Sequence, residues 1–360
     1  MNVYIGNKEF VESVDDNKKT SFLVRPLLRI KRRTREELLS RYGKCIDDYK
    51  LVFDVDSCDF CLLPYPWNYY YETKKTEELK EFISQCKNAE KEIVTITVND
   101  FGVKPLFDDV IVLRSSGYQS KRLPKQFALP VFISDPVKAY FNNELFYRVK
   151  REKPIVGFCG QGKQEIYKYF GVYVYNMYNN LRYYLGLRKE EPQVLYPSTL
   201  RRNRVLNILQ KSDKVVSDFI IHKKYRAGVS GNKDKEKDKS KLEFHNNIRN
   251  TDYTVSIRGG GNFSVRIYET LANGRIPLYI NTDSILPFDN FIDWKKHVIW
   301  VDEKDIRYVD SILADFHNDI HPDDFIQMQI NNRKLWEDYL SFPGFYCHLA
   351  DLIDYVKREK

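Results

Sequence analysis

The sequence is poor in cysteine and has no long run of apolar residues. Nowhere does an apolar run approach the roughly 18–20 residues that are needed to span a bilayer. The opening residues, MNVYIGNKEFVESVDD, lack the basic segment and apolar core of a signal peptide. We therefore expect a soluble, cytoplasmic protein.

The six cysteines are few and scattered for 360 residues, and without a secretory signal we expect them to be reduced and buried rather than bridged. They are Cys45, Cys58, Cys61, Cys86, Cys159 and Cys347. Cys58 and Cys61 form a Cys-x-x-Cys pair, but no second pair stands at the spacing of a zinc site. The nearest histidine in the sequence, His222, is remote. We interpret the pair as two half-buried strand cysteines.

Hydrophobic residues make up 42% of the chain and aromatic residues 14%, which excludes a disordered protein. A length of 360 residues suffices for two domains, each with its own core. The net charge of +8 favours polyanionic partners, namely nucleic acid, anionic lipid or nucleotide phosphates. Much of the excess lies in the runs Lys31–Arg35, Lys121–Arg122 and Lys233–Lys241, which are typical of solvated faces.

Strand-like and helix-like segments alternate along the chain, and the alternation starts again after the charged run Lys150–Lys153. The predicted strands are Leu51–Asp54, Phe60–Leu63, Ile93–Val98, Val110–Leu113, Ile155–Cys159, Asp218–His222, Val255–Ile257 and Val298–Val301. The predicted helices are Thr76–Lys87, Gln164–Leu187, Arg201–Lys211 and Pro322–Leu340. We therefore expect two doubly wound α/β units, residues 1–150 and 151–335, with a ligand site in the cleft between them.

Three further segments carry structural expectations. Residues Gly231–Lys241 (GNKDKEKDKSK) are almost all charged or small and should form a mobile loop. The tyrosines between Tyr167 and Tyr184 stand at helical spacing, which favours a core role over stacking on sugar rings. Residues 336–360 are expected to form a helical segment that crosses back to the first unit.

The most informative stretch, Tyr253–Asp305, reads as strand, glycine turn, short helix and strand. Its turn consists of Gly259, Gly260 and Gly261, which allow the backbone to come close to a ligand. Asn262 or Ser264 is expected to cap the following helix, and Gly274 is placed to end it. The stretch therefore predicts a helix whose first turn faces a bound ligand.

Two stripes of side chains run along this predicted helix. The stripe that should pack on the sheet holds Val265, Tyr268 and Ala272. The neighbouring stripe, left to line a cleft, holds Arg266, Glu269 and Asn273. Arg266 can donate a charge-assisted fork to phosphate oxygens, and the positive helix end favours the same anion. Glu269 can accept hydrogen bonds from both ribose hydroxyls. From spacing alone, a surface ion pair between Arg266 and Glu269 is the competing interpretation.

From Tyr253 onward the sequence resembles the exostosin-type glycosyltransferases, family 47. The matching elements are Arg258-Gly259, Ser264-x-Arg266-x-x-Glu269, Gly274-x-Ile276-Pro277, Leu286-Pro287-Phe288, Ile292-Asp293-Trp294 and Arg333-x-Leu335-Trp336-x-x-Tyr339. Each element is short and weak by itself, whereas all of them in order across one segment are specific.

The resemblance implies a GT-B type α/β fold, with two Rossmann-like domains facing a central cleft and the donor nucleotide held by the carboxyl-terminal one. It also implies inverting transfer of a sugar from a nucleotide-diphosphate sugar, a UDP- or GDP-sugar, to a hydroxyl of a glycan or glycolipid acceptor. No metal or other cofactor is expected to be essential, because a GT-B site can stabilise the leaving diphosphate without one.

The predicted donor-binding residues are Arg201, Arg258, Gly259, Gly260, Gly261, Asn262, Ser264, Arg266 and Glu269. Arg266 should also stabilise the leaving group. The acceptor hydroxyl needs a base, for which Asp100 is the candidate because it ends a predicted strand on the cleft side. A turn-capping role for Asp100 is the alternative, and Asp59 and Glu72 are weaker candidates for the base.

Other functions remain open beside transfer in cell-surface polysaccharide or viral glycan synthesis. A non-catalytic GT-B protein that binds a glycan or nucleotide and assists a partner transferase is the main alternative. Nucleic-acid binding is not expected, since basic clusters with interleaved aromatics are missing. A kinase interpretation of Asp100-Phe101-Gly102 fails because no glycine loop with a strand lysine precedes it. Peripheral contact with an anionic membrane is expected from the basic charge.

Overall fold

A computed structural model describes residues 1–14, 19–29, 34–103, 107, 110–162, 166–222 and 234–358. Residues 31–33 of the first basic run and 231–233 of the lysine-rich stretch lie outside the described residues. The strands are β1 Asn2–Tyr4, β2 Lys50–Val52, β3 Phe60–Leu62, β4 Ile93–Thr97, β5 Ile111–Arg114, β6 Gln126–Ala128, β7 Ile155–Gln161, β8 Val216–His222, β9 Tyr253–Ser256, β10 Ile276–Asn281 and β11 Ile299–Asp302. The α-helices are α1 Lys8–Ser13, α2 Arg25–Arg29, α3 Arg35–Tyr42, α4 Trp67–Glu72, α5 Thr76–Asn88, α6 Pro136–Tyr140, α7 Ile166–Tyr184, α8 Ser198–Lys211, α9 Asp234–Asn250, α10 Val265–Ala272, α11 Val309–Asp319, α12 Pro322–Leu335, α13 Phe342–Cys347 and α14 Leu349–Arg358.

The strands form two sheets, and each strand pair within them is parallel. The amino-terminal sheet has the order β2-β1-β3-β4-β5-β6, and the carboxyl-terminal sheet has the order β8-β7-β9-β10-β11. Numbered within its own unit, each sheet therefore begins 2-1-3-4-5, the order of a doubly wound nucleotide-binding fold. The prediction of a GT-B type α/β fold with two Rossmann-like units is confirmed.

The strands form where the sequence has short, nearly continuous apolar runs. All five residues of β4, IVTIT, are buried, as expected for a parallel strand that is covered on both faces. Helix α5 turns Leu79, Ile83 and Cys86 inward at spacings of four and three, so that one stripe packs on this sheet. The predicted strands and helices in this part of the chain are thus found within one to three residues of their predicted bounds.

The carboxyl-terminal helices complete the core of the amino-terminal unit. Phe345, Leu349 and Ile353 from α13 and α14 lie in one apolar cluster with residues of β1, β3, β4 and β5. Tyr346 Oη donates a hydrogen bond to the carbonyl oxygen of Leu23 at 3.2 Å. The last helices of the chain therefore belong, by packing, to the unit with which the chain begins.

A disulfide joins Cys45 to Cys347 across 302 residues of sequence. The prediction that all six cysteines are reduced is therefore wrong for these two. The remaining four are free and buried. The sequence could not indicate the bridge, because its partners meet only when α13 packs against the turn that contains Cys45.

Helix α9 replaces most of the loop predicted for Gly231–Lys241, so this prediction is wrong from Asp234 onward. The lysines and glutamate of this stretch are good helix formers. The helix is also anchored further along, where Ile248 is buried and Asn247 Nδ2 donates to the carbonyl oxygen of Asp218 at 2.9 Å. Charged residues here extend a packed helix instead of forming a loop.

Of the α7 tyrosines whose side chains the structure describes, none is buried as the predicted core role requires, and Tyr167 and Tyr169 lie outside these. Tyr175, Tyr178 and Tyr184 are 61%, 57% and 74% exposed, and Phe170 and Leu181 of the same helix are exposed as well. Helical spacing was therefore misleading, because apolar and aromatic residues occur on every side of this helix. Among the helices that the structure describes, none combines the length and apolar character needed to cross a bilayer.

Candidate nucleotide-sugar site

The strand order fixes where a ligand is expected in the carboxyl-terminal unit. In a doubly wound sheet the chain reverses direction along the sheet between its first and third strands, and ligands bind outside the carboxyl ends of those two strands. Here these are β7, which ends at Gln161, and β9, which ends at Ser256. Gly160 is the next-to-last residue of β7, Gly162 directly follows β7, and the glycine turn Gly259–Gly261 comes shortly after the end of β9.

Helix α10 begins at Val265, as expected, and ends at Ala272, with Asn273 as its C-cap and Gly274 directly after. Ser264 occupies the predicted N-cap position, but its side chain makes no capping hydrogen bond. Val265, predicted to pack on the sheet, is 36% exposed, whereas Ile267, Tyr268, Leu271 and Ala272 are buried. The packing face is thus rotated from the predicted stripe.

Arg266 lies at the end of β7. Its Nη2 donates to the carbonyl oxygen of Cys159 at 2.8 Å, and its guanidinium carbon is 4.2 Å from the ring centre of Phe158. The ring centre of Phe244, in α9, lies 5.5 Å from the same guanidinium carbon. A side chain at Gly160, whose φ is +155°, would come within 2.9 Å of Nη2. The glycine therefore leaves room for Arg266 beside the predicted ligand position.

Arg258, the residue that follows the strand β9 by two positions, is only 3% exposed. Its Nη1 donates to Tyr118 Oη at 3.2 Å, and its Nη2 donates to the carbonyl oxygen of Gly260 at 3.0 Å. Its guanidinium carbon lies 4.6 Å from the ring centre of Tyr196. Within the described residues, Arg258 Nε and Tyr196 Oη are buried without a hydrogen-bond partner. A buried cation beside an unpartnered hydroxyl is an arrangement suited to receiving an anion.

Two arginines of α8 extend this positive region. Arg202 Nη1 donates to the carbonyl oxygen of Gln161 at 2.9 Å, and its guanidinium lies 5.8 Å from the ring centre of Phe158. Arg201 Nε pairs with Glu303 Oε1 at 3.3 Å at the end of β11. Phe158 and Tyr196 thus lie among four arginines at the carboxyl ends of the strands. Burial raises the pKa of Tyr196, so its phenol stays protonated and can donate a hydrogen bond.

The sequence did not single out Phe158, Tyr196 or Tyr118, the three aromatic residues that contact these arginines. Tyr196 stands directly before the segment Pro197-Ser198 that starts α8, so its position next to Arg201 and Arg202 was the available signal. Tyr118 belongs to the other unit, and only the tertiary structure brings it to Arg258.

The predicted cleft-lining stripe of α10 is partly covered by α9. Asn273 is 2% exposed, and its Nδ2 lies 3.2 Å from His245 Nδ1. Burial lowers the pKa of His245 to about 4, so the ring is neutral at neutral pH and can accept this hydrogen bond. The prediction that Asn273 lines a cleft is wrong. Arg266 and Glu269 are half-buried, one turn apart, and retain access from the strand ends.

Asp100 faces the glycine turn across the two units. A Cβ added to Gly261 would lie 2.4 Å from the backbone carbonyl oxygen of Asp100, so the two backbones touch here. The turn-capping role belongs to Asn99, whose Oδ1 accepts a hydrogen bond from Gly102 N at 2.6 Å. The Asp100 side chain is exposed. By contrast, Asp59 precedes β3 and accepts from Asn2 N at 2.6 Å, so it lies at the amino-terminal ends of the strands, away from the cleft side.

Asn262 fastens the two units together instead of capping α10. It is fully buried; its backbone N donates to Ser116 Oγ at 2.9 Å, and its Nδ2 donates to the carbonyl oxygen of Gly117 at 2.8 Å. Its Oδ1 accepts from Thr282 Oγ1 at 2.8 Å. Nearby, Arg122 and Asp289 form an ion pair between the units. The carboxyl ends of both sheets are therefore held face to face.

Two clefts open beside this junction. One, of about 360 Å³, is lined by Asn281, Asp283, Trp294 and Trp300 among others, and the other, of about 210 Å³, by Arg114, Tyr118, Tyr183 and Glu191 among others. The second contacts the arginine cluster through Tyr118. Neither of these two clefts is lined by Arg266 or Glu269.

Residues 175–316 match the model of the Exostosin GT47 domain. This segment is similar to the exostosin-like GT47 domain. The matched residues include the whole of Tyr253–Asp305, with Arg258, Arg266 and Glu269, so the resemblance predicted there is confirmed. The Arg333-x-Leu335-Trp336 element lies beyond the matched residues.

Curated relatives of the GT47 domain align over limited segments. Exostosin-1 of Drosophila melanogaster is 26% identical over 165 residues, which is 44% of this chain and 21% of that protein. Probable beta-1,4-xylosyltransferase IRX10L of Arabidopsis thaliana is 32% identical over 71 residues, which is 20% of this chain and 17% of that protein. The aligned part thus spans about a fifth of the length of these relatives.

Two solved structures resemble the whole chain weakly. A glycosyltransferase from Rickettsia africae ESF-5 covers 100% of this chain and 99% of its own, at 10% identity and a TM-score of 0.41. Anabaena Alr3699/HepE in complex with UDP and glucose covers 98% of this chain and 99% of its own, at 8% identity and a TM-score of 0.35. At these TM-scores, neither structure transfers a ligand or a mechanism to the GT47 domain.

Proposed function

We propose that this protein is an inverting glycosyltransferase that moves a sugar from a nucleotide-diphosphate sugar to a hydroxyl of a glycan acceptor. The observation that carries the proposal is that Arg258 and Arg266, both within the segment that matches the GT47 model, lie at the carboxyl ends of β9 and β7. Two cations at this edge are suited to a diphosphate. Glu269 lies three residues further along α10 than Arg266, and its carboxylate can accept hydrogen bonds from ribose hydroxyls.

The proposed reaction moves charge in two places. The acceptor oxygen bonds to the anomeric carbon while the bond from that carbon to the diphosphate oxygen breaks, and the diphosphate leaves with the electron pair. Arg258 and Arg266 stabilise the negative charge that develops on it. The proton of the acceptor hydroxyl passes to a base, for which Asp100 stands on the opposite side of the cleft. In this proposal no metal ion takes part in the step.

A non-catalytic protein that binds a nucleotide or glycan for a partner transferase is the second candidate. It would use the same arginine cluster but would not need an exposed carboxylate opposite the glycine turn. Donor hydrolysis separates the two candidates, because a binding protein retains nucleotide affinity without turnover.

Nucleotide specificity can be tested by thermal shift. UDP, GDP and their common sugar conjugates should be titrated against the protein, since a ligand at 100 times its Kd stabilises the folded state by about 2.7 kcal/mol. We expect one nucleotide class to raise Tm and its sugar conjugate to be hydrolysed. If no nucleoside diphosphate raises Tm and none of the conjugates is hydrolysed, the proposal is wrong.

Asp100→Asn should lower turnover about 10²–10⁴-fold while leaving the Kd of the nucleotide unchanged, because a general base contributes to the chemical step by this amount. The measurement is kcat with saturating donor, together with nucleotide affinity by thermal shift. Asp59→Asn is the matched control, since Asp59 lies in the same sheet at the amino-terminal end of β3, opposite to the carboxyl ends that face the cleft. Equal turnover in wild type and Asp100→Asn would remove Asp100 from the mechanism.

The setting of the reaction is also a proposal: cell-surface polysaccharide or viral glycan synthesis, in the cytoplasm, with peripheral contact between the protein and an anionic membrane. Support for the contact comes from the exposed aromatic side chains of α7 and the net charge of +8. We expect sedimentation with phosphatidylserine vesicles but not with phosphatidylcholine vesicles. Equal recovery of the protein in both supernatants would contradict this contact.

A further inference from the structure

Cys159, His222 and Glu243 bring three metal-ligating atoms together beside β7, on the side away from β9. Cys159 Sγ lies 3.7 Å from His222 Nε2, and the same nitrogen lies 3.0 Å from Glu243 Oε2. All three ligand atoms lie within 4.8 Å of one another. This is the one such group of three among the described residues, and nothing in the proposed transfer reaction uses it.

The geometry argues against a nucleophile–base–carboxylate relay. In such a relay the carboxylate orients one ring nitrogen while the other nitrogen faces the nucleophile. Here the sulfur and the carboxylate oxygen both face Nε2 of His222. Three ligand atoms that converge on one point, instead of standing in a chain, are the arrangement of a metal site.

We propose that Cys159, His222 and Glu243 bind a zinc ion. Zinc takes thiolate at about 2.3 Å and imidazole at about 2.0–2.1 Å in tetrahedral geometry, which separates sulfur from nitrogen by about 3.6 Å. The observed separation of these two atoms is 3.7 Å. A set of one sulfur, one nitrogen and one oxygen ligand suits zinc and leaves the fourth position to water.

The scaffold holds the three ligands on regular elements. Strands β7 and β8 are parallel neighbours, with Gln161 opposite His222 and Cys159 opposite Ile220. Cys159 and His222 therefore project from the same face of the sheet on adjacent strands, offset by two residues. Glu243 reaches them from α9, which packs over β7. Cys159 is buried, while the side chains of His222 and Glu243 are 23% and 43% exposed, so an ion can enter from solvent.

A bound zinc ion would fix the two backbone segments that contact Arg266. Glu243 precedes Phe244, whose ring lies 5.5 Å from the Arg266 guanidinium, and the carbonyl oxygen of Cys159 accepts the Arg266 hydrogen bond. Two ligands thus belong to the backbone segments on either side of this arginine. The zinc proposal concerns binding alone and holds whether or not the protein transfers a sugar.

The test is zinc binding by the full-length protein in a non-chelating reductant after removal of bound metal. We expect one zinc per chain by elemental analysis, a rise in Tm on adding zinc, and a thiolate-to-cobalt charge-transfer band when cobalt replaces zinc. Cys159→Ser should abolish the band. His222→Gln and Glu243→Gln should weaken binding by at least about 10–100-fold, since even outer-shell partners contribute that much.

Two matched controls keep the result specific. Asp238→Asn removes an exposed acid of the same helix, and His321→Gln removes a histidine at the start of α12. Both should bind zinc like the wild type. Because Cys159 is buried and its replacement can impair folding, the two partly exposed ligands decide the outcome. If His222→Gln and Glu243→Gln retain wild-type zinc affinity, or cobalt binds without the thiolate band, the proposal is overturned.

Discussion

Arg266→Ala should lower donor turnover about 10²–10³-fold, and Glu269→Gln should reduce it severely. Removing one preorganised donor from a site where negative charge develops has a cost of this size. Arg266 lies at the β7 edge, where its Nη2 is 2.8 Å from the carbonyl oxygen of Cys159, so a diphosphate there would meet its guanidinium. Glu269→Gln keeps the shape of the side chain but removes the negative charge that binds ribose hydroxyls. Hydrolysis of the nucleotide sugar that raises Tm is the readout.

The controls separate lost chemistry from lost structure. Arg204→Ala removes an exposed arginine of α8, and Asp315→Asn removes an exposed acid of α11. Both should turn over donor at the wild-type rate. Arg266→Lys keeps a charge over Phe158 but loses the planar fork, so it should recover part of the stability and little of the rate. Wild-type turnover in both Arg266→Ala and Glu269→Gln would contradict the site.

Arg333→Ala should destabilise the fold by about 3–5 kcal/mol, the cost of leaving one partner of a buried ion pair alone. Arg333 is 7% exposed and forms a two-pronged pair with Asp135, at 2.9 and 2.7 Å. It also donates to Glu337 and to the carbonyl oxygen of Ala272 at the end of α10. Urea unfolding of the mutant and wild type measures the difference. Arg35→Ala, which breaks the exposed Arg35–Asp47 pair, is the control and should change the unfolding midpoint little.

The effect of Arg333→Ala should depend on pH. Burial by itself raises the pKa of Asp135, but the hydrogen bonds and charge of Arg333 outweigh burial, and the pKa is lowered overall. A carboxyl with a lowered folded pKa stabilises the fold above its unfolded pKa, about 3.9, and loses that contribution as pH falls through the folded value. The gap between mutant and wild type should therefore be full at pH 7 and narrow in acid. A gap that is constant with pH would show that the pair is not its cause.

The sequence predicted the parts of the site that lie close together in the chain. The strand β9, the glycine turn, Arg266 and Gly274 after α10 all fall within one short segment, so spacing and turn chemistry predicted their positions, and the resemblance added Arg258. This segment lies wholly within residues 175–316, which match the Exostosin GT47 model. Two further elements of the resemblance pack in the structure: Leu286 and Trp294 are buried, and Trp294 Nε1 donates to the carbonyl oxygen of Pro287.

Features that depend on distant residues could not be predicted in this way. Asn262 looks like a helix cap in sequence, but its strongest partners, Ser116 and Gly117, belong to the other unit. Helix α9 covers Asn273 because Phe244 and His245 pack beside α10, which periodicity within either helix does not reveal. The Cys45–Cys347 bridge is of the same kind. In each case a contact between two segments that are far apart in the chain determines the structure, and the local sequence pattern does not reveal it.

The amino-terminal unit is assembled from both ends of the chain, with Phe345 and Ile353 in its core and Cys347 bonded to Cys45. During synthesis its apolar interior must therefore stay incomplete until the last helices leave the ribosome. The unit made second, which needs none of those helices for its sheet, is then able to finish folding first.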